Sequence, residues 1–320
     1  MPETKTILVT GGAGFIGVHT AKKLLEAGHR VIIVDNFNDY YEPSLKEARI
    51  NRLLEGDYRV YRLDIKNYDA LGDIFQEHRI DHIIHLAAQA GVRYSMENPF
   101  LYSDSNLVGS INLFELAKKF GVKGMTVASS SSVYGNAKRY PVSEEDSTDM
   151  PISLYGATKK SLEAIAHSYH HLYNIPITCL RYFTVYGPWG RPDMAIFKFT
   201  HQVLNGETID IYGHGQTERD FTYIDDIVDG TVKAFEKNLP WEIINLGQGN
   251  PNALMECIEF IEQCCQKEAQ KKFLPMQPGD VIRTYADNSR ARALLGWEPR
   301  VGLKEGIERF VKWYKEYYKI

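Results

Sequence analysis

The stretch Thr6-Ile7-Leu8-Val9-Thr10-Gly11-Gly12-Ala13-Gly14-Phe15-Ile16-Gly17 determines the fold class of this chain. Its apolar beginning predicts a buried strand of a parallel sheet, and its glycines predict a tight turn that leads into a helix. The helix is expected over residues 18–27, and Gly28 should end it. This order places free N–H groups and the positive end of a helix dipole where a phosphate can bind.

A second apolar run, Val31-Ile32-Ile33-Val34, ends at Asp35. A carboxylate about 20 residues after the glycines is where a dinucleotide site accepts hydrogen bonds from the ribose hydroxyls. Because a carboxylate repels a 2′-phosphate, Asp35 favours NAD over NADP. The alternative is a βαβ unit that has an acidic residue there by chance, and we favour the dinucleotide site.

The composition is that of an ordinary globular protein. The chain has 320 residues, 44% of them hydrophobic, and a net charge of −4, which suits two coupled lobes and gives no basic excess for a nucleic-acid partner. No apolar run reaches membrane-spanning length and no signal-peptide pattern is present, so we expect a cytoplasmic protein without a membrane partner. The four cysteines are expected to be reduced thiols, and the histidines to pack without metal.

Strand and helix patterns alternate along most of the chain. Further strands are predicted at residues 58–63, 81–88, 124–128, 176–180 and 242–247. Further helices are predicted at residues 46–54, 68–78, 98–120, 155–172 and 303–318. The pattern predicts an α/β fold, a doubly wound parallel Rossmann sheet with a smaller mixed α/β substrate-binding lobe. We assign residues 1–183 to the NAD-binding domain, with a returning strand near 242–249, and residues 184–320 mainly to the interleaved substrate lobe.

Tyr155 and Lys159 lie four residues apart on a predicted helix, so their side chains share one face. Alone, such a pair indicates no more than a surface contact. Four serines at 129–132 follow a predicted strand, at the sheet edge where doubly wound folds bind ligands, although serine runs also form turns. In this setting a lysine ammonium and an oxidised nicotinamide would lower the tyrosine pKa from near 10. The tyrosine could then act as a general base on a sugar hydroxyl, and a serine could relay the proton.

These pieces resemble the extended short-chain dehydrogenase/reductase family, and within it the nucleotide-sugar epimerases, over essentially the whole chain. The matching segments are the glycine stretch, Asp35-Asn36, Asp64, His85-Leu86-Ala87-Ala88, the serines, and Tyr155 with Lys159. The resemblance implies catalytic roles for Ser130, Tyr155 and Lys159, although Ser129, Ser131 and Ser132 are close alternatives to Ser130. It also implies bound NAD, a UDP-sugar substrate and a homodimer paired through helices 98–120 and 155–173.

The resemblance further implies two sets of binding residues. The expected NAD-binding residues are Gly11, Gly14, Phe15, Ile16, Gly17, Asp35, Asn36, Asn38, Asp64, Ile65, Leu86, Ala87, Ala88, Tyr155, Lys159 and Tyr182. The expected substrate-binding residues are Arg93, Ser129, Ser131, Ser132, Thr184, Arg191, Arg219 and Arg283. Arg219 and Arg283 should hold the diphosphate, because a guanidinium binds two oxygens at once. Plain surface charge is the alternative for both arginines.

This chain departs from the motifs of related enzymes at positions that help to identify the expected reaction. Related 4,6-dehydratases carry Asp-Glu just before Val-Tyr-Gly and decarboxylases carry a Glu there, whereas this chain has Ser131 and Ser132. Thr184 and the run 187–194 resemble UDP-glucuronate 4-epimerases, which convert UDP-glucuronate to UDP-galacturonate through a 4-keto intermediate. Arg191 would either hold the substrate carboxylate or fasten the turn at 188–192. A UDP-glucose/galactose 4-epimerase, a UDP-glucuronate decarboxylase and a non-catalytic NAD-sensing module are the alternatives.

Overall fold

The computed structural model describes residues 3–320, which fold around one large parallel sheet. In chain order the strands are β1 (Thr6–Thr10), β2 (Arg30–Asp35), β3 (Tyr58–Arg62), β4 (His82–His85), β5 (Met125–Ser130), β6 (Ile177–Tyr182), β7 (Thr184–Tyr186), β8 (Thr208–Ile211), β9 (Glu218–Arg219), β10 (Phe221–Tyr223), β11 (Trp241–Leu246), β12 (Asn252–Ala253) and β13 (Gln270–Phe273). Seven of them form the large sheet in the order β11–β6–β5–β4–β1–β2–β3.

Helices cover both faces of this sheet and build most of the second lobe. In chain order they are α1 (Phe15–Glu26), α2 (Pro43–Leu53), α3 (Tyr68–Glu77), α4 (Tyr94–Glu97), α5 (Pro99–Ser103), α6 (Gly109–Phe120), α7 (Leu154–Tyr173), α8 (Ala195–Asn205), α9 (Ile224–Lys237), α10 (Leu254–Cys265), α11 (Ser289–Leu295) and α12 (Leu303–Tyr318). Short 3₁₀ turns lie at Ser131–Tyr134 and Tyr212–Gly215.

The central strand β1 shows why its sequence is a continuous apolar run. Ile7 and Val9 pack into one apolar layer of the protein, and Leu8, between them, packs into the layer on the opposite face. Alternate side chains of a strand point to opposite faces, so a strand that is covered on both sides must be apolar throughout. The predicted doubly wound parallel sheet is confirmed.

The strand order reverses between β1 and β4. The chain builds β1, β2 and β3 in one direction and then returns to place β4 on the other side of β1, with Thr10 opposite His85. Connections therefore leave the carboxyl ends of these two strands in opposite directions, and a crevice opens between them. This crevice positions the functional site.

The second lobe is interleaved with the first along the chain. It holds three two-stranded pairs, which are β7 with β10, β9 with β12 and β8 with β13. Between them the chain returns to the large sheet as β11, which pairs with β6 from Trp241 opposite Ile177 to Leu246 opposite Tyr182. The division at residue 183 stays a prediction.

The helix predicted over residues 98–120 is confirmed as one helical run from Pro99 to Phe120, but a π-helical segment interrupts its α-helical geometry. Pro99 begins α5, a π-helical segment covers Asp104–Val108, and α6 begins only at Gly109. The π turn brings Asn106 to the loop after β4, where its amide accepts from the Gln89 N–H at 2.9 Å and donates to the Gln89 carbonyl at 3.1 Å. A π turn depends on such tertiary contacts, which helical periodicity does not reveal.

The described part of the chain includes no helix with the length and apolar character to cross a membrane. Across residues 3–320, no group of three or more His, Cys, Asp or Glu side chains is placed to hold a metal ion. The cysteines are free thiols, and three of them, Cys179, Cys257 and Cys265, are buried.

Candidate active site

The glycine turn after β1 forms a backbone cradle. Gly11 has φ +69°, and a Cβ added to it would lie 2.8 Å from the Ala87 nitrogen. A Cβ added to Gly17 would lie 2.1 Å from the Gly11 carbonyl oxygen. Only glycine fits these two positions, and α1 then begins at Phe15 without a side-chain cap on its first N–H groups. The cradle suits the pyrophosphate of a dinucleotide.

Asp35 ends β2 beside this cradle. Its Oδ2 accepts from the Ala13 N–H at 3.1 Å, and its Oδ1 accepts from the Phe37 N–H at 2.8 Å. Each carboxylate oxygen has a further lone pair, so both can still accept from ribose hydroxyls. Next to it the Asn36 amide donates to Asp64 at 3.0 Å, which holds the ends of β2 and β3 together. These donors and acceptors fit an adenosine.

One cleft of about 730 Å³ runs from the glycine turn to the second lobe. Every residue that the sequence assigns to catalysis, to NAD or to the substrate lines this cleft. Its volume lies within the range of small-molecule and cofactor sites. The structure therefore brings the whole predicted set together, although lining a cleft does not by itself assign a role.

The three predicted catalytic residues meet where β5 ends and α7 begins. The Ser130 hydroxyl accepts from the Ser132 N–H at 3.1 Å and begins the 3₁₀ turn that follows β5. Ser153 caps α7 by accepting from the Gly156 N–H at 3.1 Å, which fixes the first turn, where Tyr155 lies. One turn later, Lys159 donates from Nζ to the Ala128 carbonyl oxygen at 2.7 Å. Thus α7 and β5 hold all three side chains.

Burial dominates the electrostatics of this group. Burial raises the pKa of Tyr155, while the Ser130 hydroxyl and the Arg191 charge act in the opposite direction. Burial also lowers the pKa of Lys159 to about 8, an effect that nearby Cys179 and Glu163 partly oppose. Desolvation of the phenolate therefore outweighs the surrounding positive charge, and the lowering of the Tyr155 pKa that we expect from the positive charge of a bound nicotinamide stays a prediction.

Ser129 differs from the other three serines. Its hydroxyl donates to Oε1 of the buried Glu163 at 2.5 Å, so its one proton is already used in a hydrogen bond. The side chains of Ser129 and Ser130 point to opposite faces because they are neighbours on a strand, and a substrate-binding role for Ser129 stays a prediction. Ser130 keeps its hydroxyl beside Tyr155.

The arginines expected at the diphosphate lie together in the second lobe. Arg219 donates from Nη1 to the carbonyls of Glu218 and Ile282, at 3.0 and 3.1 Å. Arg283 forms an ion pair with Glu218 at 2.8 Å. From the first lobe, Arg93 pairs with Asp280 at 3.0 Å. These contacts hold the cations at the cleft, and the diphosphate role stays a prediction.

Arg191 has partners on three segments. Its Nε donates to Asp193 Oδ1 at 3.0 Å, and its Nη2 bonds both Asp193 and the Ala90 carbonyl. Tyr40 donates to Asp193 at 3.1 Å, and the Arg191 guanidinium lies 5.8 Å from the centre of the Tyr40 ring. The loop after β2 is thereby closed over the turn at 188–194.

Several lining residues were missed by the sequence analysis. Among them are Tyr40, Lys46, Gln89, Lys198, Asp210 and Tyr212. Lys46 was signalled only by its place in the loop after Asp35, where its Nζ donates to the Asn38 carbonyl at 2.8 Å. The residues of the second lobe carry no comparable signal: Lys198 lies on α8 without a motif around it, and Asp210 and Tyr212 come from a short strand and a turn.

Residues 8–310 match the sequence model of the family described as GDP-mannose 4,6 dehydratase. The chain belongs to this family. Within the family it is 48% identical over 311 residues to the UDP-glucuronate 4-epimerase of Thermodesulfobacterium geofontis, covering 97% of this chain and 96% of that protein. It is 46% identical to Protein CapI of Staphylococcus aureus over 331 residues, covering 98% and 99% of the two chains.

Solved structures of related enzymes have the same fold. The UDP-glucuronic acid 4-epimerase of Bacillus cereus, in complex with UDP-glucuronic acid and NAD, superposes with a TM-score of 0.92 at 40% identity, over 98% of this chain and all of that one. The UDP-glucose 4-epimerase of Thermotoga maritima with UDP-glucose gives a TM-score of 0.89 at 34% identity, over 98% and 99% of the chains. Membership of the extended short-chain dehydrogenase/reductase family is confirmed.

Proposed function

We propose that this protein is an NAD-dependent UDP-glucuronate 4-epimerase, which interconverts UDP-glucuronate and UDP-galacturonate. The observation that carries the proposal is the convergence of Ser130, Tyr155 and Lys159 with the glycine turn in one cleft. The same cleft includes Thr184 and Arg191, which are suited to a substrate carboxylate. The similarity to UDP-glucuronate 4-epimerases over almost the full chain supports this substrate.

The bound NAD would supply a hydride acceptor in one half-reaction and a hydride donor in the other. Tyr155 takes the proton from the 4-hydroxyl, and Ser130 hydrogen-bonds the same oxygen and relays the proton. Lys159 stabilises the phenolate with its positive charge and binds the nicotinamide ribose. The 4-keto sugar then turns over within the cleft, and Tyr155 returns its proton to the inverted alcohol.

The residues before Val133 disfavour two competing reactions. Dehydration needs an acid that protonates the leaving hydroxyl, and Ser131 and Ser132 are neutral at neutral pH. Decarboxylation would compete with epimerisation, because the ketone at carbon 4 of the intermediate lies β to the carboxylate of the sugar. Thr184, Ser131 and Ser132 can donate to the carboxylate and hold it so that the breaking bond does not align with the ketone. A hydroxymethyl group would not need these donors.

We assign the binding roles by the position of each residue along the cleft. The glycine turn holds the pyrophosphate of NAD, and Asp35 binds the adenosine ribose. Leu86, Ala87 and Ala88 bind NAD at the end of β4, where the small side chains of Ala87 and Ala88 let the cofactor approach the backbone. Arg219, Arg283 and Arg93 bind the diphosphate of the UDP-sugar.

We also propose a homodimer that pairs through α6 and α7. Their outward faces and the adjoining α5 carry exposed apolar side chains, among them Phe100 at 81% exposure and Leu172 at 63%. Such exposure is typical of an interaction surface. The four free thiols suit a reducing compartment, and we place the protein in the cytoplasm.

The test is a product assay by NMR with UDP-glucuronate, UDP-glucose and UDP-galactose as separate substrates. We expect UDP-galacturonate from UDP-glucuronate and much slower turnover of the two neutral sugars. A UDP-pentose as the main product would indicate a decarboxylase, and faster turnover of UDP-glucose would indicate the neutral-sugar epimerase. NAD binding without turnover of any of these sugars would support the sensing module.

A further inference from the structure

A buried ion pair lies directly beneath the catalytic residues. Arg181 of β6 donates from Nε and Nη2 to the two carboxylate oxygens of Glu163, both at 2.8 Å. Each of the two side chains is only 2% exposed. Ser129 donates to the same carboxylate from the end of β5 at 2.5 Å. Glu163 therefore joins three elements, α7, β5 and β6.

Stability alone does not account for this pair. Removing two charges from water costs about as much free energy as their attraction returns, and apolar side chains of similar volume usually serve a core as well or better. The location of Glu163 offers another reason. It follows Tyr155 and Lys159 on α7 by eight and four residues, so the three side chains lie along one helix face.

The other groups around Lys159 carry little charge. His85 on β4 is neutral, because burial lowers its pKa to about 3. Cys179 on β6 is a thiol, because burial raises its pKa. Burial raises the pKa of Tyr155 as well, which favours the neutral phenol over the phenolate. Cys179 and Glu163 are the two groups that oppose the lowered pKa of Lys159, and of the two only Glu163 is a carboxylate.

Two basic side chains lie next to the Glu163 carboxylate. Arg181 binds it directly, and the half-buried Lys160 has its Nζ 3.9 Å from Oε2. Arg181 is held in turn by the Tyr134 hydroxyl, which accepts from Nη1 at 3.0 Å. This contact with Tyr134 orients the Arg181 guanidinium toward Glu163. Arg181 therefore meets the carboxylate from β6, and Ser129 meets it from β5.

We propose that Glu163 is a positioning residue of the epimerase: its buried carboxylate keeps Lys159 protonated and, through Ser129, fixes the end of β5 that carries Ser130. The inference rests on the proposed function, because it assigns a purpose to Lys159 in the reaction. A protonated Lys159 favours the Tyr155 phenolate. A fixed strand end keeps the Ser130 hydroxyl beside Tyr155.

The test compares Glu163→Gln with the double variant Glu163→Gln/Arg181→Gln. The single variant leaves Arg181 as an unpaired buried cation, and the double variant removes both charges. We expect the pKa of Lys159 to fall by about one pH unit in the single variant and by a smaller amount in the double variant. The double variant should recover thermal stability relative to the single one.

Two measurements report the titration. The first is the ¹³Cε NMR signal of Lys159 against pH in protein freed of NAD, assigned with Lys159→Arg. The second is the alkaline limb of the pH profile of kcat with UDP-glucuronate, which should move to lower pH in both variants. The NMR titration does not depend on activity, so it distinguishes failure of this inference from failure of the proposed function.

Ser129→Ala tests the second half of the inference. It keeps the Glu163 charge, so the Lys159 titration should stay unchanged, while kcat falls about 3- to 10-fold at unchanged KM as Ser130 loses its fixed position. An unchanged Lys159 titration in the folded double variant would overturn the charge role. Full kcat in Ser129→Ala would overturn the positioning role.

Discussion

Lys159 donates from Nζ to the carbonyl oxygen of Ala128 at 2.7 Å. This bond joins α7 to the end of β5. It therefore fixes the distance between Tyr155, which lies on α7, and Ser130, which ends β5. The lysine that makes it is 3% exposed. Because burial lowers its pKa to about 8, Lys159 loses its charge not far above neutral pH.

We therefore expect kcat to fall as the pH rises through about 8. The active form of Lys159 is the cation, which predominates below its pKa and is lost above it, so the loss lies on the alkaline side. Lys159→Arg should remove this alkaline limb, because arginine does not lose its proton in proteins, although kcat itself will be lower. The measurement is kcat against pH for both proteins. An alkaline limb that persists in Lys159→Arg would assign it to another group.

Tyr155→Phe removes the proposed base and keeps the ring. We expect kcat to fall by ~10²–10⁴, which is the usual contribution of general acid–base catalysis. Binding of UDP-glucuronate, measured by calorimetry, should change little, because the hydroxyl is not part of the diphosphate site. Near-normal turnover at saturating substrate would show that Tyr155 is not the base.

The sequence predicts those parts of the site that depend on local pattern. The glycine turn needs three glycines at fixed spacing, and the shared face of Tyr155 and Lys159 follows from helical geometry alone. The balance of burial and charge does not follow from spacing. For this reason the effect of burial on the Tyr155 pKa could not be predicted from the sequence.

Contacts between segments that are far apart in the chain also could not be predicted from the sequence. Glu163 meets Arg181 across 18 residues and Ser129 across 34. Tyr40 meets Asp193 across 153 residues. No periodicity links such pairs, and only the packing of the elements brings them together.

Asp35 gives a prediction on cofactor choice. NAD should remain bound through purification, because the catalytic cycle regenerates it, and chromatography of the denatured protein should show NAD without NADP. Asp35→Asn removes the charge that repels a 2′-phosphate, so the NADP-to-NAD affinity ratio should rise at least ~10-fold. Asp64→Asn, at the end of the next strand, is the matched control and should leave the ratio nearly unchanged. Copurified NADP in the unaltered protein would contradict the role of Asp35.

Arg49 gives a prediction on stability. It is fully buried, and its guanidinium donates to the carbonyls of Trp189, Gly190 and Ala13 at 2.7, 3.0 and 3.2 Å. Arg49→Met leaves these oxygens unpaired, so the free energy of unfolding should fall by at least ~2 kcal/mol in urea titrations.

The control for Arg49 is an exposed basic residue. Lys22→Met removes a pair with Glu26 on the surface of α1, and it should change the unfolding free energy by less than ~0.5 kcal/mol. Equal effects of the two substitutions would show that the Arg49 contacts contribute nothing particular. A normal urea midpoint for Arg49→Met would show the same.

The prediction for Arg191 concerns the product that the enzyme releases. Its pairing with Asp193 and Ala90 fits a residue that fastens the turn at 188–194. Its positive charge also acts on Tyr155, as a substrate-facing residue would. The two roles lead to different products when the residue is removed.

If Arg191 holds the substrate carboxylate, Arg191→Ala should slow epimerisation of UDP-glucuronate by ~10-fold or more and release some UDP-pentose, because the freed carboxylate can align with the 4-ketone. Asp193→Ala is the matched control: it loosens the same turn but keeps the guanidinium, so it should release no pentose. Both variants are assayed by NMR with UDP-glucuronate and UDP-glucose, alongside thermal unfolding. If both unfold at lower temperature and neither makes pentose, Arg191 fastens the turn and has no contact with the carboxylate.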